Sequence, residues 1–206
     1  MDGRLRLLVG PGKSAGARAL KRFALWGPAL FAVAVAAADQ FGHRPYPVAP
    51  ARELVSVGTY RATGRVVRLR QPAAAAFQGM VRAARGEGLS LIPISGHRTL
   101  AYQRGLFQRA IRRYGSEAKA ARWVAPPGHS EHHTGWTLDL GDGDRPATDI
   151  ETAFEKTPVF SWLEKNAAAH GFELSFPKGN PQGVNYEPWH WRFVGDAAAR
   201  GAFHPD

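Results

Sequence analysis

The sequence predicts an α+β domain built on a small, mainly antiparallel sheet flanked by helices. Three observations point there: short strand-like runs alternate irregularly with helical stretches, no segment repeats, and 44% of the 206 residues are hydrophobic, enough for one core of ordinary size. The runs ELVSVGTY (53–60) and GRVVRLR (64–70) read as two short strands. PAAAAFQGMVRAARGEG is helical in composition, with Pro72 near its start and Gly86 and Gly88 near its end, and LSLIPIS follows as a strand. Thr99 can cap the next helix, in which Tyr102, Leu106, Phe107, Ala110 and Ile111 recur at helical spacing; SEAKAARWV extends it or forms a second short helix. Then come a strand at WTLDL, a helix at FSWLEKNAAAHGF ended by Gly171, a strand at FELSF and a last strand at PWHWRFVG.

Ahead of this domain the composition changes. Arg4, Arg6, Lys13, Arg18, Lys21 and Arg22 precede FALWGPALFAVAVAAA, an uncharged, mostly apolar run ending in Ala36-x-Ala38. Residues 1–38 therefore read as a basic leader plus a signal peptide or membrane anchor, and the chain as exported. DQFGHRPYPVAPAR (39–52) holds three prolines and no apolar period, the pattern of a linker, which leaves 53–206 as the folded domain. The formal charge of +10 drops to +5 once residues 1–38 are set aside. That excess suits an anionic surface or wall polymer, and without a stripe of Lys and Arg interleaved with aromatics it argues against nucleic acid as a partner.

The chain contains no cysteine, so any metal must be held by imidazole and carboxylate. In WTLDL, alternation puts Trp136, Leu138 and Leu140 on the core side and Thr137 and Asp139 on the opposite, potentially solvent-facing side. His132 lies seven residues before Asp139, close enough in chain for both to meet at one ion. The same alternation in YEPWHWRF separates Trp189, Trp191 and Phe193 from His190 and Arg192, which makes His190 the third candidate. Two histidines and an aspartate leave the fourth position of a tetrahedral zinc to water, as in catalytic sites. Glu187, three residues before His190 across Pro188, could serve that water as a general base without ligating. His129 and His133 flank His132 without its spacing and read as pocket rim, while His43, His170 and His204 suit solvated or capping roles. Asp142 and Asp144 in GDGD lack the calcium-loop pattern and read as a turn.

Three segments carry a resemblance. SEHHTGWTLD fits SxHxxGxxxD, SGHRTLAYQ fits an SG-aromatic-Arg segment with Gln five residues after Arg, and YEPWHWRFVG fits ExxH in a YEPWH context. Together they resemble VanY-type D-alanyl-D-alanine carboxypeptidases, zinc peptidases of peptidoglycan that share the lysostaphin/hedgehog-type fold, over about residues 53–196. The resemblance implies one Zn2+ on His132, Asp139 and His190, with Glu187 as catalytic base. It further implies that Arg98 holds the substrate carbonyl or oxyanion and that Gln103, Ser130 and Tyr186 line the peptide site. The implied substrate is a peptidoglycan stem peptide losing a terminal D-alanine, outside the cytoplasmic membrane, with membrane contact only through an uncleaved N-terminal segment. L,D-carboxypeptidase or D,D-endopeptidase activity on the same scaffold, or a non-catalytic zinc-containing wall-binding protein, are the alternatives. Family members usually carry Ala where Thr137 stands and often Tyr where His97 stands.

Overall fold

The computed structural model describes residues 39–204; the leader and apolar run expected over 1–38 lie outside them. Strands β1 (Leu54–Tyr60) and β2 (Arg65–Arg70) form an antiparallel hairpin, separate from a four-stranded antiparallel sheet of β3 (Leu91–Ser95), β4 (Thr137–Asp142), β5 (Phe172–Leu174) and β6 (His190–Phe193) in the order β3-β4-β6-β5. The expected antiparallel α+β architecture is thus built as two sheets, not one.

The helices follow local chemistry. In α1 (Gln71–Gly86), Pro72 occupies the first turn, where its missing N–H costs nothing, and Ala73, Ala74, Phe77, Met80 and Ala84 form one buried stripe. The Thr99 hydroxyl accepts from the Tyr102 N–H to start α2 (Leu100–Tyr114), and Gly115 at φ 86° ends it in the left-handed conformation that a side chain would resist. Ser116 caps α3 (Glu117–Ala121), and Phe107, Ala110, Ala120 and Ala121 bury a small second core between α2 and α3. Thr157 caps α4 (Pro158–Asn166), after which a 3-10 turn, Ala167–His170, completes the stretch expected as one helix. A further helix, α5 (Ala197–Phe203), capped by Asp196, was not among the expected elements.

The main core joins α1, α4, α5 and one face of the larger sheet: Leu69, Phe77, Leu138, Leu140, Leu163, Trp191, Phe193 and Phe203 are all buried in it. Residues 39–52 run without long elements, as their prolines dictate, yet Tyr46 and Ala49 are buried, and their backbone N–H groups donate to Gly128 O and His133 O at 2.8 Å each. This stretch, expected as a linker, is fastened to the domain.

Strand β4 is buried along its whole length. Its core side follows the predicted alternation, but Asp139, expected to face solvent, is 1% exposed because β4 is an interior strand whose other side is roofed by the site. Leu138 is fully buried on the core side; Leu138→Ala should destabilise the fold by about 2–5 kcal/mol. Urea unfolding of the two proteins, compared at equal slope, checks this.

Candidate metal centre

Three elements converge at one end of the larger sheet. A 3-10 turn, Glu131–Thr134, brings His132; β4 brings Asp139; β6 brings His190. Asp139 and His190 are direct partners in the β4–β6 ladder, and Ser95 of β3 pairs with Asp139 from the other side. Gly135, at φ 72°, closes the turn; a Cβ there would lie 2.9 Å from Leu54 Cδ2, so the chain can enter β4 this tightly only with glycine.

The three side chains each offer one donor atom, and those atoms lie within 4.8 Å of one another. Asp139 Oδ1 is 3.3 Å from His132 Nε2 and 3.3 Å from His190 Nδ1. The imidazoles present opposite nitrogens, because His132 Nδ1 is taken by Gly96 O at 2.7 Å while His190 Nε2 meets Glu131 Oε2 at 3.0 Å. The other Asp139 oxygen accepts from Arg98 Nη2, and Arg98 Nε donates to Ser95 Oγ at 3.0 Å. Glu187 Oε2 approaches His190 Nδ1 at 3.4 Å without joining the donor set.

The set fits a metal ion. Its atoms facing the centre include His132 Nε2 and Asp139 Oδ1, both buried and without a hydrogen-bond partner, a costly arrangement for a protein unless a cation satisfies them. Two imidazoles and a carboxylate with no thiolate suit zinc in a site that keeps one position open.

Burial pushes the Glu187 carboxyl up to about 8, with Asp139 adding to the rise against the pull of His190 and Arg98. Burial alone would raise Asp139 as well, but His132 and Arg98 beside it hold its carboxyl well below the usual range. Burial and the Arg98 charge take His132 down to about 4. For His190 burial acts downward and is overridden by the two carboxylates beside it, Asp139 and Glu131, which lift it to about 9. Of the two imidazoles, only His190 sits where the surrounding carboxylates favour a positive charge.

A cleft of about 280 Å³ opens over this group. Its walls include Tyr60 and Arg65 from the β1–β2 hairpin, Tyr102, Trp123, Phe176 and Ile150. Arg98 and Ser130 line it, as expected from sequence. Gln103 and Tyr186 do not. Gln103 is fully buried and donates to Ala125 O at 2.8 Å, supporting a wall residue from behind. Tyr186 lies on another face, under Lys178 and beside Glu155. His133, expected at the rim, is buried between Arg98 O and the Gly128 N–H, and buried His129 is not among the cleft-lining residues. His43, expected to be solvated, is buried, bonds Ala121 O at 2.7 Å and borders the cleft, because its proline-rich segment packs down instead of trailing free. GDGD is a turn: Asp142 Oδ1 accepts from the Asp144 N–H. Thr137 Oγ1 and His97 Nε2, at the two positions that depart from the resemblance, are both buried without a hydrogen-bond partner.

Sequence reasoning missed Glu131, which lies inside a motif quoted for its histidines. Its signal was available: an acid next to a ligand in a turn too short to carry it to the surface.

An antiparallel α+β fold with a buried His-Asp-His group, an adjacent non-ligating glutamate and an open cleft defines a metal centre of the catalytic kind. The chain belongs to the VanY D-alanyl-D-alanine carboxypeptidase family, whose model matches residues 66–196. It is 33% identical over 138 residues to a D-alanyl-D-alanine carboxypeptidase of Enterococcus faecalis, covering 62% of this chain and 49% of that one. Among solved structures it resembles the LdcB LD-carboxypeptidase (TM-score 0.65, 32% identity, 77% of this chain and 75% of that one). It also resembles a vancomycin resistance D,D-pentapeptidase VanY in complex with Zn(II) (TM-score 0.58, 29% identity, 78% and 89%). The chain spans about half the length of the curated relatives it matches first.

If the three donors hold zinc, metal binding must stabilise the folded chain by mass action. Zinc at a hundredfold excess over its Kd should add about 2.7 kcal/mol, a rise in Tm of roughly 5–10 °C, and His132→Ala should erase the rise. Calorimetry of metal-free protein with and without zinc measures both.

Proposed function

We propose that this chain is a zinc-dependent D,D-carboxypeptidase that removes the terminal D-alanine from peptidoglycan stem peptides. The observation that carries the reading is Glu187, buried 3.4 Å from His190 Nδ1 yet outside the donor set, where a general base for an attacking water belongs. His132, Asp139 and His190 would hold the zinc, which when bound would supply a Lewis acid for the scissile carbonyl and for water.

The remaining work falls to the chain's own groups. Glu187, beside the donor set but not in it, takes the proton of the attacking water and delivers it to the leaving amine. Arg98, steadied by Ser95 and Asp139, turns a planar cationic donor on the cleft wall toward the oxyanion, a contact worth on the order of 2.7–4 kcal/mol. Ser130, buried at the cleft two residues before His132, contacts the peptide. Arg65 at the cleft, stacked on Tyr102 at 3.7 Å, offers a second cation for an anionic peptide.

The similarity to the LdcB LD-carboxypeptidase supports a second reading, an L,D-specific enzyme acting on tetrapeptide stems through the same centre. Location belongs with the proposal: the basic leader and apolar run over 1–38 support export, to the periplasm or the face of the wall, with the catalytic domain, residues 39–52 packed onto it, following.

Defined stems separate the readings. A pentapeptide ending in D-Ala-D-Ala should lose one D-alanine, seen by mass, while a tetrapeptide should be left intact; the reverse pattern supports the L,D reading. Glu187→Ala should keep about one equivalent of zinc while kcat falls roughly 10²–10⁴-fold. Loss of zinc together with activity in that variant would make Glu187 a ligand, and parent-level turnover would remove it from the mechanism.

A further inference from the structure

We propose that Glu131 is a positioning residue that holds His190 in its metal-ligating orientation, with Arg192 and Ser175 holding Glu131 in turn. The inference rests on the metal centre read above and concerns how it is kept in shape.

An imidazole has two nitrogens, and either can face a metal. Which one does is decided by what holds the other. His190 Nε2 lies 3.0 Å from Glu131 Oε2, so a neutral His190 keeps its proton on Nε2 and donates it there, which leaves the Nδ1 lone pair, the one a metal needs, on the side of Asp139 Oδ1 at 3.3 Å. His132 is set the opposite way by a neutral backbone carbonyl, Gly96 O. Only His190 is backed by an anion, and an anionic partner raises the donor strength of the ring as well as fixing its angle.

Glu131 is not a bystander that happened to be near. It is 3% exposed, and a buried carboxylate is tolerated only when its oxygens are satisfied. Ser175 Oγ donates to Oε2 at 2.7 Å and Arg192 Nη1 to Oε1 at 2.8 Å, so His190, Ser175 and Arg192 together occupy both oxygens. Arg192 is itself fixed. Its Nε donates to Glu173 Oε1 at 2.7 Å, and its guanidinium lies 5.0 Å over the Phe203 ring of α5. The chain of contacts runs from the metal centre through β6 and β5 to α5. Glu131 precedes His132 on the same short turn, so one turn supplies one ligand and orients another.

A purely structural ion pair between Glu131 and Arg192 would make the same contacts but would leave the metal indifferent to its loss. Zinc affinity of the full chain, measured by competition with a chromophoric chelator, separates the two. Glu131→Ala should weaken zinc binding about 10–100-fold, and Glu131→Gln, whose amide oxygen can still accept from His190 but carries no charge, should fall between. Cobalt substituted for zinc should show a changed visible spectrum in Glu131→Ala, and the loss in turnover should appear in kcat with KM little altered. Should Glu131→Ala fail to fold, Glu131→Gln, nearly the same in shape, decides by the same readings. Both variants binding zinc within twofold of the parent with the parent's cobalt spectrum would overturn the proposal. A parent chain that takes up no zinc would overturn the metal centre itself, and Glu131's role with it.

Discussion

Pairing of β4 with β6 is the constraint on which everything else depends. The register that sets Asp139 opposite His190 also sets Leu138 opposite Trp191. Because side chains alternate along a strand, one register decision sends Leu138 and Trp191 into the core and the two candidate ligands to the other face. A slip by one residue would exchange them, burying a carboxylate and an imidazole among Phe77 and Leu163. Burial of the apolar set thus specifies the metal geometry with no help from the metal.

The second requirement is charge balance in a dry space. Asp139, Glu187 and Glu131 are all buried within one cluster, against Arg98 and Arg192. Carboxylates removed from water are costly unless paired, and the pairing here is divided by role. Glu131 is fully occupied by donors and held low, to about 2, by His190, Arg192 and Ser175 despite its burial. Glu187 lacks such a set and is lifted to about 8. Two glutamates, 3.0 and 3.4 Å from the two nitrogens of one histidine, are thus pushed in opposite directions: one is a fixed counter-charge, the other holds its proton more tightly than a free carboxyl.

Much of this was legible in the sequence, and the boundary is physical. Period-two alternation in WTLDL and PWHWRF gave the sides of Asp139 and His190, since alternation is a local property of the strand. The caps at Thr99 and the glycine end at Gly171 were equally local. What failed was burial, which depends on what the rest of the chain lays on top. Asp139 reads as exposed until β3 and β6 flank it, and His43 reads as solvated until the 39–52 segment is found bonded to Gly128 and His133. Gln103 and Tyr186 sit in the expected motifs, yet α2 turns the first into the wall behind Ala125 and the second packs under Lys178. α5 escaped notice because its seven residues, AAARGAF, offer no apolar period until Arg192 and the core are there to receive Phe203.

The spacing of the donors along the chain has a consequence for how folding and metal binding are related. In small zinc modules the ligands come in close pairs, and metal can organise a chain that has no core of its own. Here His190 follows Asp139 only after α4 and β5, and both positions meet solely through the β4–β6 ladder. An unfolded chain presents at most His132 and Asp139 together, so the complete donor set exists only once the sheet has formed around Leu138 and Trp191. The closure entropy of so long a loop is borne by apolar burial, not by the ion. Metal then binds a surface already shaped by Gly96 O, Arg98 and Glu131, and its free energy adds to a finished fold instead of creating one.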